Sequence, residues 1–238
     1  MAAELLGPVV DPTPSQPPER MTLSGRHITV APLDVARDAL PLWESASRAA
    51  NAHLWTYLSD GPFYDRETFD AHLRAKAASE DPLFFALLDA HSGRVLGHAA
   101  YMRITPGHRC MEIGNILYTP ALQHTVGATE AMYLMARHAF EDLRYRRYEW
   151  KCNALNEPSR RAALRLGFNF EGIFRQHMLV KGRNRDTAWF SMLDHEWPPR
   201  KAALESWLDP LNFDANGKQK LSLSELMAVE VYRDNTAP

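Results

Sequence analysis

MEIGNILYTPALQHTVGATEA, residues 111–131, decides the fold of this 238-residue chain. Residues 111–118 read as a strand, stopped by Thr119-Pro120, and a helix begins near Gly127. A short loop between a strand and a helix presents free backbone N–H groups at the positive end of a helix dipole. That arrangement suits a phosphate or diphosphate, although an ordinary close-packed strand–helix connection would use the same small residues.

Outward from this stretch, the N-terminal side holds a short strand over 25–33 and a helix capped by Asp34 and running to about residue 49. An aromatic, loop-like stretch spans 54–63, and a second helix spans 66–78. Two strand-like runs, 82–88 and 94–104, flank the turn DAHSG. On the C-terminal side an apolar stripe (Ala128, Met132, Met135, Ala139, Leu143) predicts a helix over 127–143. A strand follows over 147–152. The next helix, 156–166, carries Asn156 as N-cap, Pro158 in its first turn and Gly167 at its end. The runs 168–180 and 187–193 then form a hairpin across KGRNRD. This order predicts a mixed α/β (α+β) domain.

Composition is that of an ordinary globular protein: 45% hydrophobic, 24% charged, formal net charge −2. No basic stripe points to nucleic acid, and no apolar run is long enough to span a membrane. Cys110 and Cys152 show neither CxxC spacing nor a histidine-containing ligand cluster, so no metal is expected and both read as reduced thiols of a cytoplasmic protein. Residues 1–19 are proline-rich and lack a secretory signal, which predicts a disordered tail without core contacts. Residues 20–199 read as the domain. Residues 200–238 read as an extension with short helices near 202–207 and 222–231.

Two blocks resemble the GNAT superfamily of acetyl-CoA-dependent N-acetyltransferases. Gln123 to Ala128 is similar to its Gln/Arg-x-x-Gly-x-Gly/Ala loop. The continuation Thr129-Glu130-Ala131 and the preceding Glu112-Ile113-Gly114 resemble the branch that acetylates ribosomal-protein N-termini (the RimJ/RimL type). Asn156-Glu157-Pro158-Ser159, with Leu166-Gly167-Phe168 and Glu171-Gly172, resembles the second family block, in the family's order and spacing. One departure stands out. Val126 occupies a position where the family has glycine, and valine does not readily take a positive φ.

The resemblance implies a twisted, mostly antiparallel mixed sheet, flanked by helices, with a splay between its fourth and fifth strands. It implies acetyl-CoA as co-substrate, with the diphosphate on Gln123, His124, Thr125, Val126, Gly127, Ala128 and Thr129. The pantetheine arm would pair with Ile116, Leu117 and Tyr118 and touch Asn156. It further implies direct attack by a primary amine in a ternary complex. The acceptor would be an amino acid, polyamine, amino-bearing antibiotic or peptide N-terminus. Glu112 is the favoured general base, and alternation would place it on one face with Gly114 and Ile116. Glu149 is an alternative base on the acceptor side. Ser159 is the hydroxyl expected to hydrogen-bond the departing sulfur. Trp55, Tyr57, Phe63 and His177 are the acceptor-side candidates, against a plain packing role for the three aromatics. A homodimer is allowed for. The competing reading is a catalytically idle GNAT domain that binds acyl-CoA as a sensor or scaffold, kept open by Val126.

Overall fold

The computed structural model describes residues 6–47 and 49–235; residues 1–5 of the proline-rich segment, Arg48 and residues 236–238 of the C-terminal segment lie outside the described residues. One sheet of 8 strands carries the fold, in the order β1-β2-β3-β4-β5-β6-β8-β7. The strands are β1 (Leu23–Ser24), β2 (Ile28–Pro32), β3 (Leu83–Asp89), β4 (Val95–Thr105), β5 (Cys110–Tyr118), β6 (Arg147–Asn153), β7 (Asn169–Val180) and β8 (Arg183–Leu193). Every pairing is antiparallel except β5 with β6. The expected mixed, mostly antiparallel fold therefore holds.

Period-two alternation builds two cores, one on each face. On β3, Leu83, Phe85 and Leu87 enter one core, while Phe84, Ala86 and Leu88 enter the other. The first core is covered by α3 (Val126–Arg137), α4 (Glu157–Arg165), α5 (Trp197–Leu208) and α6 (Leu223–Asn235). The second is covered by α1 (Val35–Ala46), a 3₁₀ segment ending at Trp55, and α2 (Arg66–Ala78). The second face is left without a helix over β6, β8 and the start of β5, where its side chains turn polar.

Boundaries move where local chemistry is strong. The helix read over 127–143 is α-helical only to Arg137 and continues as one π turn, His138–Asp142. The KGRNRD turn is shorter than expected: Lys181 and Gly182 both take positive φ (51° and 70°), so two residues close the hairpin and β8 begins at Arg183. The proline-rich segment makes contacts near its end. Ser15 is buried, its N–H donates to Pro106 O (3.1 Å) and its hydroxyl to Arg144 O (2.8 Å). The C-terminal segment also joins the first core, through Ala203, Leu204, Trp207, Leu223 and Met227. Among the described residues no helix is long and apolar enough to cross a membrane.

Candidate active site

The site is organised by a fork. β5 and β6 pair in parallel from Cys110↔Arg147 to Ile113↔Trp150, and there the ladder ends. Beyond it β5 follows β4 to Tyr118, and β6 follows β8 to Asn153. Asn115 stands at the parting with φ 49°, and the β4–β5 register slips there: Ala100 faces Gly114 while His98 faces Leu117. The extra residue is a β-bulge, which bends the strand and resets its alternation. The consequence overturns one expectation. Ile116 and Tyr118 pack with Ile113 against the first core, whereas Leu117 enters the second. Ile116 therefore does not share a face with Glu112 and Gly114.

The loop after β5 is tied down by its own side chains. The Gln123 amide donates to Tyr118 O (3.2 Å), and the Tyr118 hydroxyl donates to Ala128 O (3.2 Å). Thr125 caps α3 by accepting from Ala128 N, which leaves the first-turn N–H groups of Val126 and Gly127 outside the cap. These donors, at the end of a 12-residue helix, fit a diphosphate. The positive φ of the loop falls on His124 (61°), not on Val126, which is the first residue of the helix. The backbone argument against valine is thereby removed. Thr129 is buried and accepts from Arg165 (3.0 Å). Glu130 serves the scaffold: its carboxylate accepts from the N–H groups of Arg26, His27 and Ile28 (2.8, 2.6 and 2.9 Å). A Cβ on Gly25 would come within 2.6 Å of that carboxyl, which explains glycine there.

On the helix-free face, Glu112 and Glu149 are register partners. Lys151 lies between them, 3.1 Å from Glu112, and also pairs with Glu149. Burial pushes the Glu112 carboxyl above its ordinary value, and Lys151 and Arg103 only partly offset it. Burial also pushes Glu149 up, but hydrogen bonds from Lys151 and Arg147 outweigh it and hold that carboxyl below its ordinary value. Arg147 continues the chain of charges to Glu171, by two bonds of 2.7 and 2.6 Å, and Ser191 donates to the same carboxylate. The two glutamates are thus set apart. Glu149 is committed to cations, and Glu112 is the more basic, with its Oε2 buried and lacking a well-aligned hydrogen bond.

Ser159 lies across the sheet from Glu112. Asn156 caps α4 by accepting from Ser159 N (3.2 Å), and Ser159 Oγ accepts from the indole N–H of Trp150 (3.0 Å), a residue of the first core. Its hydroxyl proton is not spent on its own helix end. The β5–β6 fork lies between the Ser159 side and the Glu112 side.

The acceptor-side candidates separate. Trp55 is buried at 1%, donates to Ala46 O (2.8 Å) and packs edge-on against Phe63 and Phe69. Its side chain presents nothing to an acceptor, and Phe63 joins it in the second core. The segment is pinned from below by Asp60, paired with His72 and with Lys76 (2.9 Å). Tyr57 reaches across to Leu155 O (3.0 Å), and Lys181 at the hairpin tip donates to Trp55 O (2.6 Å), so the loop bridges to β7–β8. His177 contacts Thr187 Oγ1 (2.9 Å) beside Trp189. Reading the sequence missed Lys151, Arg147, Arg103 and Trp189. Alternation along RYEWK would have placed Arg147, Glu149 and Lys151 on one face; nothing local marks Arg103 or Trp189.

The family description "Acetyltransferase (GNAT) domain" matches residues 27–169. The crystal structure of a GCN5-related N-acetyltransferase from Brucella melitensis is similar at 47% identity and a TM-score of 0.89, over 91% of this chain and 98% of that one. The candidate ribosomal N-acetyltransferase YdaF of Bacillus subtilis (strain 168) is 26% identical over 181 residues, 74% of this chain and 96% of that protein. A ribosomal α-N-protein acetyltransferase, RimL, in complex with coenzyme A shares the fold at 18% identity, with a TM-score of 0.63 over 73% of this chain and 99% of that one.

Proposed function

The chain belongs to the GNAT acetyltransferase family, and we propose that it moves the acetyl group of acetyl-CoA onto a primary amine, an α-amino group in particular, by direct attack in a ternary complex. The family uses acetyl-CoA as co-substrate, and the free N–H groups at the start of α3 fit its diphosphate. Relatives named for ribosomal N-acetylation and α-N-protein acetylation support an N-terminal amine as acceptor. The observation that carries the reading is the fork, with a buried, raised-pKa carboxylate on one face and a serine hydroxyl oriented by the Trp150 indole on the other.

Bound at the fork, acetyl-CoA supplies an activated acyl group as a thioester. The chain's own part is positioning and proton handling. Glu112 takes a proton from the incoming ammonium, since an amine attacks only when neutral. Lys151 keeps that carboxylate in place between β5 and β6. Ser159 Oγ, oriented by the Trp150 indole, offers its hydrogen to the sulfur side. Tyr57 and Lys181 tie the aromatic loop to Leu155 and to the β7–β8 hairpin. The idle alternative rested on Val126, whose helical backbone no longer argues for it.

The test is thiol release from acetyl-CoA with a panel of peptides, amino acids, polyamines and aminoglycosides. Turnover with N-terminal peptides supports the reading. Acetyl-CoA binding without turnover of any amine would overturn it in favour of a binding domain.

A further inference from the structure

One cation on the open face has no counter-ion among the described residues. Arg185 lies on β8, two residues before Thr187 and four before Trp189, so the three side chains share a face. The pairs Lys151↔Trp189 and Glu149↔Ser191 make it the face of Glu149, Lys151 and Glu112. Arg185 Nε is buried and without a hydrogen-bond partner, and no ion pair reaches its guanidinium among the described residues. Every other charge of the group is engaged: Arg103 and Lys151 with Glu112, Lys151 and Arg147 with Glu149, Arg147 with Glu171. The excess positive charge therefore rests on Arg185.

A second buried donor accompanies it. Trp189 Nε1 also lacks a partner, although the indole ring is covered by Lys151 (3.7 Å), Phe174 (4.6 Å) and His177 (5.8 Å). Two unfilled N–H donors, one of them charged, are costly to leave dry. The group that satisfies an unpaired guanidinium is an oxyanion. The field is consistent with this. Burial draws the guanidinium below its usual range with Glu112 only partly offsetting, and the histidine is lowered by burial and then by Arg185, Arg103 and Lys151.

We propose that the Arg185 guanidinium receives a carboxylate carried by the acceptor close to its reacting amine, so that this enzyme prefers acidic acceptors. The inference rests on the acetyl-transfer reading and narrows it. An N-terminal peptide with an early acidic residue, or a free acidic amino acid, supplies the carboxylate; polyamines and aminoglycosides bring only cations to a site that already has one too many.

The experiment uses the full-length protein, saturating acetyl-CoA and thiol release. Acceptors are amidated pentapeptides beginning Ser-Asp and Ser-Asn, free glutamate, and spermidine. The Ser-Asp peptide is expected to exceed the Ser-Asn peptide in kcat/KM by about ten- to a hundredfold, the worth of a charge-assisted hydrogen bond. Higher turnover of free glutamate than of the Ser-Asp peptide places the carboxylate on the amino acid itself. Arg185→Met should bring the selectivity ratio to near one, and Arg185→Lys should retain part of it. Melting temperature and acetyl-CoA binding check each variant's fold; if Arg185→Met does not fold, the wild-type ratio and Arg185→Lys decide. Equal turnover of both peptides by the wild type, or full selectivity in Arg185→Met, overturns the proposal while leaving acetyl transfer intact. No turnover of any amine overturns both.

Discussion

Two carboxylates facing each other in register behave differently because their neighbours differ. Glu149 is held down by Arg147 and Lys151, whereas burial raises Glu112. A base works deprotonated, so activity falls as pH drops through the Glu112 pKa. That limb is expected above the usual carboxylate range. Glu112→Gln should lower kcat by about 10²- to 10⁴-fold and flatten the acid side of the kcat/KM profile. An unchanged limb in that variant would assign proton removal to another group. Ser159 carries two roles in one oxygen, accepting from Trp150 and offering a hydrogen. Ser159→Ala should cut kcat about ten- to a hundredfold with acetyl-CoA affinity within about twofold. It should also cost about 1–3 kcal/mol of stability, because the indole N–H loses its partner. Denaturant melts and single-turnover kinetics together separate the two effects. Either carboxylate could be nominated from the sequence. Choosing between them required neighbours from other strands, since Lys151 and Arg103 reach Glu112 only across the sheet.

Among the elements, the β5–α3 connection shows how a motif can be recognised and its backbone misjudged. Matching residues to a family pattern puts the unusual conformation at Val126, but the chain makes its left-handed turn at His124. Val126→Gly should therefore weaken the helix start by up to about 0.5–1 kcal/mol and give no gain in acetyl-CoA affinity. His124→Gly should raise stability, by relieving about 1 kcal/mol of left-handed strain. Thermal melts with and without acetyl-CoA, plus calorimetry, check both. A Val126→Gly variant that binds acetyl-CoA markedly tighter would restore the earlier concern. Thr129-Glu130-Ala131 carries a different lesson. The motif's glutamate holds the β1–β2 turn by three N–H groups and makes the loop's position part of the fold.

At the scale of the molecule, we propose the division into a segment of residues 1–19, a domain of 20–199 and an extension of 200–238, and truncation tests it. The outer parts are not idle. Trp207 and Leu204 are buried at 4% and 2%, and Arg200 donates to Gly167 O (2.7 Å). Removing residues 200–238 would expose this core, and a large fall in melting temperature or loss of cooperative unfolding is expected. Removing residues 1–14 should be nearly neutral, whereas extending the deletion through Glu19 also deletes Ser15 and its bonds to Pro106 and Arg144 and should lower stability by about 1–3 kcal/mol. Equal melting temperatures for these two deletions would show that the Ser15 contacts contribute nothing.

The order of strands and helices, the two motif blocks and the family were legible along the chain, because apolar periodicity, caps and turn residues act over a few neighbouring positions. The helix start at Asn156 was legible for the same reason, and the start read near Gly127 falls one residue after the observed Val126. Three things were decided only by the folded chain. The Asn115 bulge sent Ile116 and Leu117 to opposite faces from those that alternation assigns. Packing made Trp55 a core residue rather than a groove residue. A two-residue turn drew Arg185 into β8, beside charges that are already paired. Periodicity is a property of the local backbone. A side chain's face beyond a bulge, its burial and its missing partner are set by residues distant in the chain, and only their assembly fixes them.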